Sequence, residues 1–165
     1  MPPRLPPSDP GDLDAAFEKA VRVLNAASQT RARLYAKLIR AGYSAEAAEG
    51  ACARALALGY VNDGAYARSV VERRVQQGRG RAVISRELAH KGLDGETVFE
   101  AMVMVDPETE FASARELASR LNRRHAGVTP ERRRQKVLAA LARRGFSGGV
   151  SRAAFEACER AEPLQ

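Results

Sequence analysis

Residues 136–149 read KVLAALARRGFSGG, and two kinds of fold compete for them. Gly145–Gly149 fit Gly-x-Ser-x-Gly, the nucleophile elbow in which a serine on a tight strand-to-helix turn is exposed for acyl transfer. The nine residues before them say otherwise. Val137 and Leu141 stand four apart, on one face of a helix, and Gly145 stands where a left-handed residue closes a helix. On this second reading Ser147 caps a following helix, its hydroxyl accepting from a free amide.

The rest of the chain decides between them. RLYAKLIRAGYS (33–44) and VISRELAHKGLD (83–94) share the frame of KVLAALARRGFS (136–147). An aliphatic residue (Leu34, Ile84, Val137) is followed four places on by leucine (Leu38, Leu88, Leu141) and four further by glycine (Gly42, Gly92, Gly145). After each glycine comes an apolar residue that can fold back (Tyr43, Leu93, Phe146), then a capping residue (Ser44, Asp94, Ser147). Asp94 holds the place of Ser147, which suits a cap and not a nucleophile. Both histidines, His90 and His125, precede Ser147, whereas an α/β-hydrolase needs its histidine downstream. The hydrolase reading fails.

The frame recurs at about fifty residues, the mark of a repeat array. A further helix precedes each frame, signalled by Phe17-Val21-Leu24, Tyr66-Val70 and Phe111-Ala114-Leu121. Start signals agree: Asp63 before one such helix, Asp106-Pro107-Glu108 and Thr129-Pro130-Glu131 with cap, proline and acidic first turn, and Asp94-Gly95-Glu96 before Val98, Met102 and Val105. The expectation is an all-α protein, a tandem array of three three-helix repeats, extended or curved, spanning 13–61, 62–105 and 106–161. Residues 1–12, with five prolines among the first ten, read as a disordered tail.

Composition fits. The 165 residues are 45% hydrophobic but only 5% aromatic, without tryptophan, which favours helix packing over sheets. The formal charge of +7 is unevenly placed. Residues 68–91 hold seven basic and two acidic side chains, and 115–144 hold ten and two; 92–114 hold six acidic and none basic. Such segregation suggests a positive face for a polyanion or an acidic partner; the plain alternative is a solvated, arginine-rich surface. Cys52 and Cys158 read as small core residues in a reducing compartment. Gly78-Arg79-Gly80 lacks the strand and Lys-Ser/Thr pair of a phosphate loop and reads as a helix–helix turn. No metal-ligand spacing and no catalytic constellation is found, Glu46, Glu49, Glu156 and Glu159 reading as solvent-facing helix residues.

The middle of the chain resembles a known family. Leu58-Gly59-Tyr60-Val61-Asn62-Asp63, then Tyr66-Ala67, Arg73-Arg74, Gly78-Arg79-Gly80, Ile84-x-x-Glu87-Leu88 and Lys91-Gly92-Leu93 is similar to the signature of RecX proteins, bacterial regulators of the RecA recombinase. The likeness is tight over 58–94. This chain has Tyr66 where the family usually has Phe, lacks a basic approach to the first unit's middle helix, and has a longer connection at 122–129. The resemblance implies a non-enzymatic modulator that binds the groove of RecA filaments and restrains ATP hydrolysis, strand exchange and coprotease activity. It implies no cofactor, no membrane, a cytoplasmic monomer, and RecA filament as partner, with single- or double-stranded DNA as a further one.

Charge and matched positions nominate Arg73 and Arg74 on the middle unit's first helix, Arg79 and Arg81 at its turn, and Arg86 and Lys91 on its second helix. In the third unit they nominate Arg120, Arg123, Arg124, Arg132, Arg133, Arg134, Arg143 and Arg144. For Arg73 the competing reading is a stem packed across the core with Glu87 as partner. For 132–134, successive helix positions span most of the circumference, so some of the three must face solvent. Two other functions stand beside filament binding: a sequence-independent DNA-binding module competing for DNA, and a helical scaffold with unrelated partners.

Overall fold

A computed structural model describes residues 7–161. Among these there are nine helices and no strand: α1 Leu13–Ala26, α2 Arg31–Arg40, α3 Ala45–Ala57, α4 Asp63–Gln76, α5 Arg81–His90, α6 Gly95–Val103, α7 Pro107–Arg124, α8 Pro130–Arg144 and α9 Gly148–Ala161. The all-α repeat expected from the sequence is therefore present. The disordered tail was expected over 1–12, of which 1–6 lie outside the described residues. Nearer α1 the chain is held: the Ser44 amide donates to the Pro10 carbonyl (2.8 Å), and Asp12 caps α1 through the Ala15 amide (2.9 Å).

Packing divides the described residues into two compact units, one of residues 7–67 and 89–97, the other of 68–88 and 98–161. In the first, α1 and α3 pack on alanines: Ala16 and Ala20 face Ala47, Ala48, Ala51 and Ala55, with Cys52 among them. Small side chains let the two backbones approach closely. Leu34 and Leu38, the i and i+4 pair of α2, close this core and are fully buried, each stabilising by about 2 kcal/mol. The second unit repeats the scheme. Ala114, Leu117 and Ala118 of α7 meet Ala154, Phe155 and Cys158 of α9, and Val137 and Leu141 of α8 cover them. Both cysteines are buried and neither is in a disulfide, and burial pushes the Cys52 thiol up to about 11.

The helix ends behave as the frame demands. Gly42, Gly92 and Gly145 are left-handed (φ 99°, 81° and 93°). Ser44, Asp94 and Ser147 accept from the amides of Ala47 (3.1 Å), Thr97 (2.7 Å) and Val150 (3.2 Å). GFSGG is thus a helix–cap–helix turn. Two start signals work differently from expectation. Thr129 makes no side-chain cap bond, and Asn62 rather than Asp63 caps α4, its Oδ1 accepting from the Ala65 amide (2.8 Å).

Asp63 is freed for another task, and this task is repeated. In the first unit, Asp63 Oδ1 accepts from the amide of Arg31, first residue of α2 (2.9 Å), while the Thr30 hydroxyl donates to the Lys91 carbonyl (2.7 Å). In the second, Glu110 Oε1 accepts from the amide of Arg81, first residue of α5 (2.9 Å), while the Gly80 amide donates to the Arg144 carbonyl (2.9 Å). In both, a carboxylate from a neighbouring helix answers an orphan amide of the middle helix, while a donor just before that helix meets a carbonyl at another helix's C-terminus. This is why Glu110, a charged residue, is buried.

Candidate functional site

The second unit gathers its arginines along α7 and α8. Leu117 and Leu121 lie one turn apart on α7, and Arg120 and Arg124 lie one turn apart in the adjoining row. Ala140, Arg143 and Arg144 face them from α8, and Arg79 enters from the turn between α4 and α5. Together these residues line a groove of about 390 Å³ with apolar sides and five guanidinium groups. Two further depressions adjoin it. One shares Arg120 and Arg144 and adds Gln76, Gln77, Ser113 and Glu116; the other shares Arg124 and Arg143 and adds His125, Gln135 and Lys136.

No carboxylate lines this groove, Glu116 standing in the depression beside it. Among the described residues the ion pairs join Arg31 to Glu49, Arg54 to Asp14 and Arg74 to Glu87, none of them a groove arginine. Among the described residues, Arg144 alone of the five is tied down by a hydrogen bond, its Nη1 donating to the Gln77 carbonyl (3.3 Å). Like charges at i and i+4, such as Arg120 and Arg124, cost a few tenths of a kcal/mol each by the usual pair magnitudes. A bound polyanion relieves that repulsion.

The structure sorts the nominated residues. Arg79, Arg120, Arg124, Arg143 and Arg144 are brought together. Arg73, Arg86, Arg123, Arg132 and Arg134 are exposed elsewhere in the same unit, with Arg123 Nη1 donating to Ser119 Oγ (2.7 Å). Lys91 belongs to the first unit, its ammonium 5.7 Å from the Tyr66 ring centroid. Three point inward. Arg81 Nη1 donates to the Val105 carbonyl (2.8 Å), Arg133 is buried, and Arg74 forms a two-bond fork with Glu87 (2.6 and 2.8 Å). The Glu87 partner considered for Arg73 is thus taken by Arg74, one residue and about 100° further round the helix. That pairing holds the Arg74 guanidinium above its ordinary pKa, chiefly through the hydrogen bonds it donates to the Glu87 carboxylate.

Sequence reasoning did not single out Leu117, Leu121 and Ala140 as groove walls, nor Glu110 as the cap of α5. The leucines were legible as an i, i+4 row beside an arginine row; Glu110 carried no local signal. Among the described residues no group of side chains could hold a metal, and no helix is long and apolar enough to cross a membrane.

Fold and groove together define a helical-repeat protein whose most marked surface feature is a cationic groove. Residues 108–155 match the family model of the RecX third three-helix domain, and 62–102 that of the second. The chain is 34% identical over 148 residues to regulatory protein RecX of Streptomyces coelicolor, covering 88% of this chain and 77% of that protein. It is 32% identical over 144 residues to regulatory protein RecX of Mycobacterium leprae, covering 86% and 84%. A crystal structure of regulatory protein RecX superposes with a TM-score of 0.80 at 26% identity, covering 87% of this chain and 71% of that one. RecX from Lactobacillus salivarius gives 0.84 at 20% identity, over 90% and 97%, a likeness of fold. The chain belongs to the RecX family of regulatory proteins.

Proposed function

We propose that this protein regulates, as an inhibitor, a RecA recombinase by binding the RecA–DNA filament and modulating its ATP hydrolysis, strand exchange and coprotease activity. The observation that carries this reading is the convergence of five arginines without carboxylate partners among the described residues on one groove. A guanidinium fork suits carboxylates on a protein surface and phosphates of a nucleic acid alike. In this reading the units are 13–61, 62–105 and 106–161, and the protein binds as a cytoplasmic monomer without a cofactor. Arg79, Arg120, Arg124, Arg143 and Arg144 make the main contact, with the exposed Arg73, Arg86, Arg123, Arg132 and Arg134 as outer contacts. Regulation needs no covalent step, so the protein is read as no enzyme.

The same groove supports a second reading, sequence-independent binding to DNA that competes with the recombinase. Phosphate contacts release counterions, so about six of them give a log–log salt slope near −5. DNA-dependent ATP hydrolysis by the RecA of the same organism, titrated with this protein at fixed DNA, separates the two. Inhibition well below one copy per RecA protomer and unmoved by extra DNA is expected for filament binding. Relief by extra DNA selects competition, and a recombinase indifferent to excess protein removes both.

A further inference from the structure

The acidic stretch of the chain presents an apolar surface of its own. In the second unit Phe99 is 71% exposed, Val103 68% and Met104 49%. Phe99 and Val103 are four apart and share one face of α6. Exposed Glu100, Asp106 and Glu108 flank them in sequence, and no basic residue occurs between 92 and 114. A clustered apolar patch with a polar surround marks a contact surface.

The groove on the same unit is its complement. Leu117 and Leu121 offer apolar walls, and Arg120 and Arg143 among others supply the opposite charge. Phe99 does not occupy the groove of its own chain, since most of its surface is in solvent. We propose that the Phe99–Val103 patch docks into the arginine groove of a second copy of this chain. Patch and groove are different surfaces, so two copies can exchange the contact reciprocally in a closed dimer or pass it head-to-tail along a chain. Three apolar side chains fall well short of the roughly 800 Å² per partner of a stable interface, so the association is weak and salt-sensitive. It also competes with any polyanion for the groove, tying the free protein's self-association to its occupancy. The inference is independent of the recombinase reading, because it concerns this protein alone.

Sedimentation velocity on the full chain over a wide concentration range, at low and high salt, tests it. The weight-average mass is expected to rise above that of the monomer at low salt and to return to it at high salt. Phe99→Ser, and separately the pair Arg120→Glu and Arg143→Glu, are expected to stay monomeric, with helical circular dichroism unchanged because all three side chains are exposed. Mixing the two variants leaves one intact patch and one intact groove, so a one-to-one dimer should form and grow no further. Wild type that stays monomeric at every concentration overturns the proposal. So do single variants that associate like wild type, or a mixture that does not associate. Should the wild type be monomeric while Phe99→Ser loses inhibition of RecA, the patch serves the recombinase and the self-docking proposal is likewise overturned.

Discussion

Gly80 and Gly145 meet backbone to backbone: a Cβ on Gly80 would lie 2.4 Å from the carbonyl carbon and oxygen of Gly145 and from the Phe146 amide nitrogen. Around this contact the Gly80 amide donates to Arg144 and the Ala82 amide to Gly145 (3.1 Å), so free donors of α5 meet free acceptors of α8. The junction has a consequence for the groove. It sets Arg79, next to Gly80, beside Arg144, next to Gly145.

Gly80→Ala should therefore cost about 2–3 kcal/mol, because the added methyl meets backbone that has no rotamer to change. Gly59 is the contrast: its φ of 73° makes alanine strained, but nothing lies within 4 Å, so Gly59→Ala should cost about 1–2 kcal/mol. Urea denaturation of the two variants checks the order. Equal losses would show that the α5–α8 junction yields.

The Arg74–Glu87 fork is half-buried, with side chains 28% and 22% exposed. A double-mutant cycle with Arg74→Ala and Glu87→Ala should return a coupling of about 1 kcal/mol, above the usual surface pair because two parallel bonds are made. Arg74→Lys should recover less than half of it, since an ammonium lacks the fork. A coupling near zero would make this a surface pair in energy as well.

Asn122 is fully buried in α7, and neither its Oδ1 nor its Nδ2 has a protein hydrogen-bond partner among the described residues. Replacing it with a near-isosteric apolar residue removes an uncompensated desolvation cost. Asn122→Leu should raise stability by about 1–2 kcal/mol. A lower melting temperature for the variant would mean that the amide is satisfied in solution.

Charge reversal separates the groove from the outer arginines. Arg120→Glu with Arg143→Glu should weaken inhibition of RecA ATP hydrolysis far more than Arg132→Glu with Arg134→Glu does. Arg133 is left untouched in this comparison because it is buried, and reversing it would disturb the core. Equal effects of the two pairs would point to diffuse charge and not to a groove.

The carboxyls of Asp94 and Asp106 are both held below the usual carboxylate range, by the Thr97 amide and chiefly by the Thr109 hydroxyl respectively. A lowered folded pKa contributes stability above the unfolded pKa of about 4, and that contribution is lost as pH falls through the folded value. The melting temperature should thus fall on acidification more steeply for wild type than for Asp106→Asn, which keeps a capping oxygen but does not titrate. Parallel curves would remove this carboxylate from the acid response.

Much of the fold was legible because its signals are local. The i, i+4 leucines, the left-handed glycines and the caps Ser44, Asp94 and Ser147 act within one helical turn, so thirty-odd residues in three copies suffice to read helix, turn, helix. The caps Asn62 and Asp63 mark where this stops. Neighbouring residues of similar chemistry divided the work once α2 lay beside them, and only packing decided which one capped α4.

The candidate site belonged mostly to that second kind of fact. Sequence alone determined that arginine is concentrated in 68–91 and 115–144 and acid in 92–114, because charge is a property of composition. The tertiary structure decided that Arg79, Arg120, Arg124, Arg143 and Arg144 share a groove while Arg74, Arg81 and Arg133 turn inward. A helix rotates about 100° per residue, so one position separates a buried guanidinium from a solvent-facing one, and what lies opposite depends on helices tens of residues away.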